Sequence, residues 1–212
     1  MLVLFSFIVT LFIISIFSLS EVISAKDQEE QIEICCTWGY KIKDNILTYK
    51  IRNSVESEIQ DAVKASIDEW NKKLDGLLIL KKETSKSKSP DIDIQFRKDN
   101  GKIGGQTVTN FDRYGFIDNV KITLSKEAFH NDIGIDMIKQ ISKHELGHAL
   151  GLGHANFNNN LMTTIVNDGS TKISNCEIMG IIIANEWALD DDNNDGNDHL
   201  YITPSKRVSC NY

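Results

Sequence analysis

His144-Glu145-Leu146-Gly147-His148-Ala149-Leu150-Gly151-Leu152-Gly153-His154 is the stretch on which the reading of this chain turns. On a helix, His144 and His148 are four residues apart and share one face, a single turn apart. That spacing lets two imidazoles reach one tetrahedral zinc ion, with Glu145 beside them and within reach of a water on the metal. Gly151 supplies an exit from the helix, because glycine adopts left-handed angles without steric cost. The turn that follows brings His154 round as a third ligand. Three neutral imidazoles leave one tetrahedral position open, the mark of a catalytic rather than a structural zinc site. His130 and His199 have no ligand partner at useful spacing and read as ordinary surface or structural residues.

The eleven-residue pattern resembles that of the metzincin metallopeptidases. Leu161-Met162 follows His154 at a spacing similar to the methionine turn of the matrixin branch, which includes the matrix metalloproteinases. Upstream, Trp38 followed by Leu47-Thr48-Tyr49-Lys50-Ile51, the helical stretch containing Trp70, and Asp91-Ile92-Asp93-Ile94-Gln95-Phe96 resemble the opening of a matrixin catalytic domain. The resemblance covers about residues 38–189. It has departures. Ala155 stands where matrixins usually carry serine, Thr163-Thr164 replaces their tyrosine-proline, and the Pro-Arg-Cys-Gly propeptide signature is absent. Residues 99–119 contain no histidine, so the resemblance does not extend to the family's second, structural zinc.

The resemblance implies an α+β fold, with a twisted, mostly parallel sheet of about five strands, three main helices and a zinc cleft below the edge strand. It implies a zinc endopeptidase acting on protein or peptide substrates. His144, His148 and His154 would hold one Zn2+, which lowers the pKa of its water and polarises the scissile carbonyl. Glu145 would take the water proton and return it to the leaving amine. Met162 would be apolar flooring under the metal. In this pattern the strand before the zinc helix borders the cleft at the sheet edge, so Val120 and Ile122 are expected to meet an extended substrate by strand addition. The loop opening with Thr163, Thr164 and Ile165 is expected to wall the pocket for the side chain after the scissile bond. The rival reading is an exported zinc-binding interaction protein without turnover; such a protein would need no general base, and Glu145 speaks against it.

Length and composition fit one domain with a substantial core. The chain has 212 residues, 41% hydrophobic and 25% charged, with a net charge of −7. A mildly acidic chain gives no sign of nucleic-acid binding. Residues 2–20 carry no charge and read as an export segment, either a signal peptide cut near Ala25 or an uncleaved membrane anchor. Residues 26–212 then form a single metallopeptidase domain, expected to be a monomer that is secreted or tethered to the outer face of the membrane. Four cysteines suit that compartment. Adjacent cysteines rarely bond each other, so Cys35 and Cys36 are expected to reach Cys176 and Cys210, in either pairing.

The remaining elements follow from periodicity. Ile46–Ile51 alternates and predicts a strand; Ile59, Ala62, Val63, Ile67 and Trp70 recur at helical spacing and predict a helix over about 55–74, capped by Ser54. Leu77–Leu80 reads as a buried strand, Lys81–Ser89 as a solvated loop, Asp91–Arg97 as a strand, Asp99–Gly105 as an exposed turn and Phe116–Leu124 as a strand. The zinc helix spans 135–150. Ser174-Asn175-Cys176-Glu177 has the form of a capping box that opens a last helix to about Leu189. Residues 190–212 form a tail. Asp191, Asn193, Asp195 and Gly196 imitate the start of a calcium loop, but Ile202 stands where the bidentate glutamate belongs, so Ca2+ is only weakly indicated.

Overall fold

Two helical stripes and one alternating strand bring the core together. The computed structural model describes residues 29–52, 55–98, 104–125, 134–165, 172–189 and 206–210. The export segment, Ser54, His130, His199 and the Asp/Asn-rich stretch over residues 190–205 lie outside the described residues. Among the described residues, no helix is long and apolar enough to cross a membrane.

The strands are β1 (Gln31–Ile34), β2 (Ile46–Ile51), β3 (Ile79–Lys82), β4 (Ile92–Arg97), β5 (Gly105–Phe111), β6 (Ile117–Ser125), β7 (Leu152–Ala155) and β8 (Arg207–Ser209). The helices are α1 (Ser57–Leu74), α2 (Ile135–Ala149) and α3 (Asn175–Leu189). A five-stranded sheet runs in the order β3-β2-β4-β6-β5, parallel except for the antiparallel pair β5–β6. This is the expected α+β architecture of a mostly parallel five-stranded sheet with three helices. One face of β4 and β6 buries Ile92, Ile94, Val120, Ile122 and Leu124, the period-2 pattern of a sheet covered by helices.

On α1, Ile59, Ala62, Val63, Ile67, Trp70 and Leu74 are buried, one stripe at helical spacing. The stripe packs on α2. The Trp70 indole N–H donates to the Lys143 carbonyl at 3.1 Å, and the Ser66 hydroxyl donates to the Lys139 carbonyl at 3.0 Å. The apolar side expected for the zinc helix, Ile138, Ile141, Leu146 and Ala149, is buried. The carbonyls at the C-terminal end of α2, which have no partner within the helix, are met by two buried side chains. The Trp38 indole N–H donates to the Ala149 carbonyl at 2.8 Å, and the Asn185 amide donates to the Leu150 carbonyl at 3.2 Å. The capping box is present: Ser174 N–H donates to Glu177 Oε2 at 2.7 Å, and Cys176 N–H to Ser174 Oγ at 3.1 Å.

Several expectations need correction. The strand before the zinc helix, β6, is not at the edge. β5 adds to its outer side and is itself the edge strand. Residues 105–111 were hidden from periodicity because their exposed positions mix valine, asparagine and phenylalanine. The predicted buried strand at Leu77–Leu80 begins two residues later and is the opposite edge; Leu77 and Ile79 are exposed. A second sheet, β7-β1-β8, was not anticipated. It recruits part of the presumed tail and the charged N-terminal strip.

The cysteine pairing also differs. Cys35 bonds Cys36, and Cys176 bonds Cys210. The reason lies in β1. Its pairing with β7 carries the adjacent cysteines onto the Gly151 carbonyl, which accepts both Cys35 N–H at 2.9 Å and Cys36 N–H at 3.4 Å. β8, on the other side of β1, carries Cys210 to the first turn of α3 and so to Cys176. Non-reducing peptide mapping is expected to recover Cys35 and Cys36 within one peptide and a separate cross-link between Cys176 and Cys210. A peptide joining Cys35 or Cys36 to either distant cysteine contradicts this fold.

Candidate active site

Helical periodicity places His144 and His148 on α2, one turn apart, and a chain reversal supplies the third imidazole. Gly151 adopts φ +105°, the left-handed region, and its N–H donates to the His148 carbonyl at 3.0 Å. A Cβ at this position would stand 2.5 Å from the Cys36 carbonyl oxygen, so backbone angle and space both require glycine here. The chain then runs into β7, which presents His154. The three rings gather with centroids 4.7, 4.8 and 5.7 Å apart. One nitrogen from each can be chosen so that all lie within 4.8 Å of one another.

The hydrogen bonds decide which nitrogens are available. His144 Nδ1 is 2.7 Å from the Leu161 carbonyl, and His148 Nδ1 is 2.9 Å from the Leu152 carbonyl. A carbonyl only accepts, so both Nδ1 atoms carry the proton. The two Nε2 atoms are then bare lone pairs, and they face each other at 3.1 Å. With no proton between them, that approach is repulsive unless a cation sits there. Two nitrogens bound to one tetrahedral zinc at about 2.0–2.1 Å stand roughly 3.4 Å apart, close to the observed separation. The residues therefore fit a zinc ion, with the carbonyls of Leu161 and Leu152 orienting the ligand rings from behind.

Electrostatics agree with this assignment. Burial holds the His148 imidazole down to about 4, helped by the neighbouring His144 and opposed by the Leu152 carbonyl. Burial also lowers His144, opposed by the Leu161 carbonyl. Burial thus favours the neutral form of both rings, as metal ligation requires. Glu145 is only 6% exposed. Burial pushes its carboxyl up to about 7, with the hydrogen bond from Thr107 pulling the other way. A carboxyl that titrates near neutral pH is matched to taking a proton there.

Met162 is fully buried. It lies against the helix between the two histidines: a Cβ at Gly147 would come within 2.5 Å of its Sδ. Its carbonyl accepts Ala155 N–H at 2.8 Å, and its N–H donates to Asn160 Oδ1 at 2.7 Å. The methionine turn is thereby tied to the strand that carries His154. Thr163 follows, its hydroxyl bonded within the turn, and Thr164 and the 72% exposed Ile165 lie at the open side. Val120 and Ile122 do not belong with them. Both side chains are 1% exposed, inside the sheet on β6, and cannot line a cleft. Thr107, on the edge strand, touches Glu145 instead. Sequence reading missed Thr107 and the two carbonyls behind the histidines. The Thr107-Val108-Thr109 run of β-formers was the available signal for the first; nothing local marks the carbonyls.

Over residues 38–183, more than half of the chain, the sequence matches the family model described as Matrixin. Comparison with curated proteins gives no significant match.

In the metal-free protein, an NMR titration of the histidine rings is expected to place His148 below about 5. Between about pH 4 and 6.5 the unfolded chain then binds a proton at this ring that the folded chain does not. Through His148, the metal-free fold is destabilised as pH falls across that window. A titration at or above 6.5 contradicts the assignment of His148 as a buried neutral ligand.

Proposed function

Because this chain belongs to the matrixin family, whose members are zinc metalloendopeptidases, we propose that it is an exported endopeptidase in which Glu145 is the general base and His144, His148 and His154 hold the catalytic zinc. The observation that carries this reading is the approach of the two Nε2 atoms to 3.1 Å, beside the buried carboxyl of Glu145. Zinc bound there supplies a Lewis acid that lowers the pKa of water and polarises a carbonyl. The chain's own residues do the rest. Glu145 takes the water proton on its carboxylate and later delivers it to the leaving amine. Among the described residues β5, rather than β6, is the edge strand along which an extended peptide would add as a further strand. The buried Met162 keeps the floor under His144 and His148 apolar and dry. Export is supported by the uncharged stretch 2–20 and by two cystines, which persist in oxidising compartments.

Glu145→Gln is expected to reduce hydrolysis of a fluorogenic peptide by about 100-fold to 10,000-fold while zinc stays stoichiometric, because the carboxyl is not a ligand. Turnover near the wild-type rate would remove Glu145 from the mechanism. A wild-type protein that binds zinc and cleaves nothing would instead favour the interaction-protein reading.

Specificity follows from the loop after the methionine turn. Thr163, Thr164 and Ile165 are apolar or weakly polar, and a charged guest beside them would lose hydration without a partner. Cleavage before leucine-sized apolar residues is expected, at roughly 10-fold to 200-fold over alanine. Asp168, which follows in the sequence and lies outside the described residues, has the opposite tendency. A peptide-library profile showing lysine or arginine just after the cut would overturn the apolar pocket.

A further inference from the structure

Gly105 and Thr107 are two residues apart on β5 and so turn to the same face of the sheet. Both meet one side chain, that of Glu145. Thr107 Oγ1 is 2.6 Å from Glu145 Oε2 and 3.1 Å from the Glu145 carbonyl oxygen. An ionised carboxylate only accepts, so the hydroxyl is the donor, and the shorter contact assigns its single hydrogen to Oε2. At Gly105 a Cβ would stand 2.6 Å from both Cγ and Oε1 of Glu145. The carboxyl therefore rests directly against the strand backbone, a fit that any larger residue at 105 would displace. Just before the strand, a Cβ at Gly104 would stand 2.6 Å from Cδ1 of Ile141 on α2. The paired glycines let the edge strand descend onto the zinc helix at the place where it must reach Glu145.

We propose that Thr107 is a positioning residue for Glu145: its hydroxyl fixes the carboxylate in the orientation that takes the proton, and Gly105 provides the clearance that makes the contact possible. The inference rests on the reading of Glu145 as general base. A carboxylate has about four lone-pair sites; Thr107 occupies one and leaves others for water. Without that bond the glutamate side chain regains rotamer freedom, and small misplacements of a reacting group cost large factors in rate. Among the described residues, β5 is also the edge strand of the sheet on this side. The strand that would pair with a bound peptide is thus the strand that aims the base.

The test uses the zinc-loaded protein and compares Thr107→Val, which keeps shape and loses the donor, with Thr107→Ser, which keeps the donor. Metal content is measured for each variant, and a crystal structure is determined for Thr107→Val. Thr107→Val is expected to lower kcat by about 10-fold to 100-fold, with KM within about two-fold of wild type. Thr107→Ser is expected to restore most of the loss. The crystal structure is expected to show the Glu145 carboxyl displaced. In a Glu145→Gln background, Thr107→Val is expected to cost little more. Wild-type kcat in Thr107→Val, failure of Thr107→Ser to do better than Thr107→Val, or an unmoved Glu145 carboxyl would each overturn the positioning role. Glu145→Gln retaining wild-type turnover would overturn the base reading beneath it, a result distinct from failure of the Thr107 series alone.

Discussion

Two backbone carbonyls, those of Leu161 and Leu152, impose the constraint from which the site follows. Each accepts from the Nδ1 of one helix histidine, which fixes the tautomer and leaves Nε2 bare. Two bare nitrogens held 3.1 Å apart on one helix face are a poor arrangement for an empty protein and a good one for a cation. The surrounding folding decisions serve to keep those carbonyls where they are. The Leu152 carbonyl belongs to the strand that begins just after Gly151, and the Leu161 carbonyl lies in the turn that buries Met162 under Gly147. The Trp38 indole and the Asn185 amide hold the helix end from which the strand with Leu152 departs.

The layers around this centre are coupled through shared residues. Trp70 bridges α1 to the Lys143 carbonyl, one residue before the first ligand. Cys36 brings the N-terminal sheet against Gly151, between the second and third ligands. Met162 joins the floor of the site to the β7 backbone through Ala155. On the opposite side of the helix, β5 closes over Glu145 through Gly105 and Thr107. The three histidines and Glu145 are therefore held from separate strands, the histidines from the β7 side and Glu145 from the β5 side.

What was legible in the sequence was whatever a short window carries. The three histidines, Glu145, the methionine turn and the Ser174–Glu177 cap all show in local spacing; the structure gathers the three imidazoles and closes the Ser174–Glu177 cap. Helix stripes such as Ile59 to Trp70 were legible because burial there repeats every three or four residues. Sheet order was not. Whether β6 lies inside or at the edge depends on β5, whose pairing partner is set by tertiary packing and whose own pattern mixes exposed apolar and polar residues. Val120 and Ile122 were expected beside the cleft, and the added strand puts β6 inside the sheet, where both side chains are buried. The cystine pairing failed for the same reason. A general rule against neighbouring cysteines was overridden by β1 and β8, elements with three or four residues each and no periodic signal.

The central claim is that the three imidazoles converge on one metal. It is tested most directly by anomalous diffraction at the zinc absorption edge from crystals of the purified protein. The account predicts a single strong peak about 2.0–2.1 Å from a ring nitrogen of each of His144, His148 and His154, the nitrogen being Nε2 in the first two. No anomalous peak at that position in zinc-saturated crystals, or a zinc held there by other donors, would contradict it.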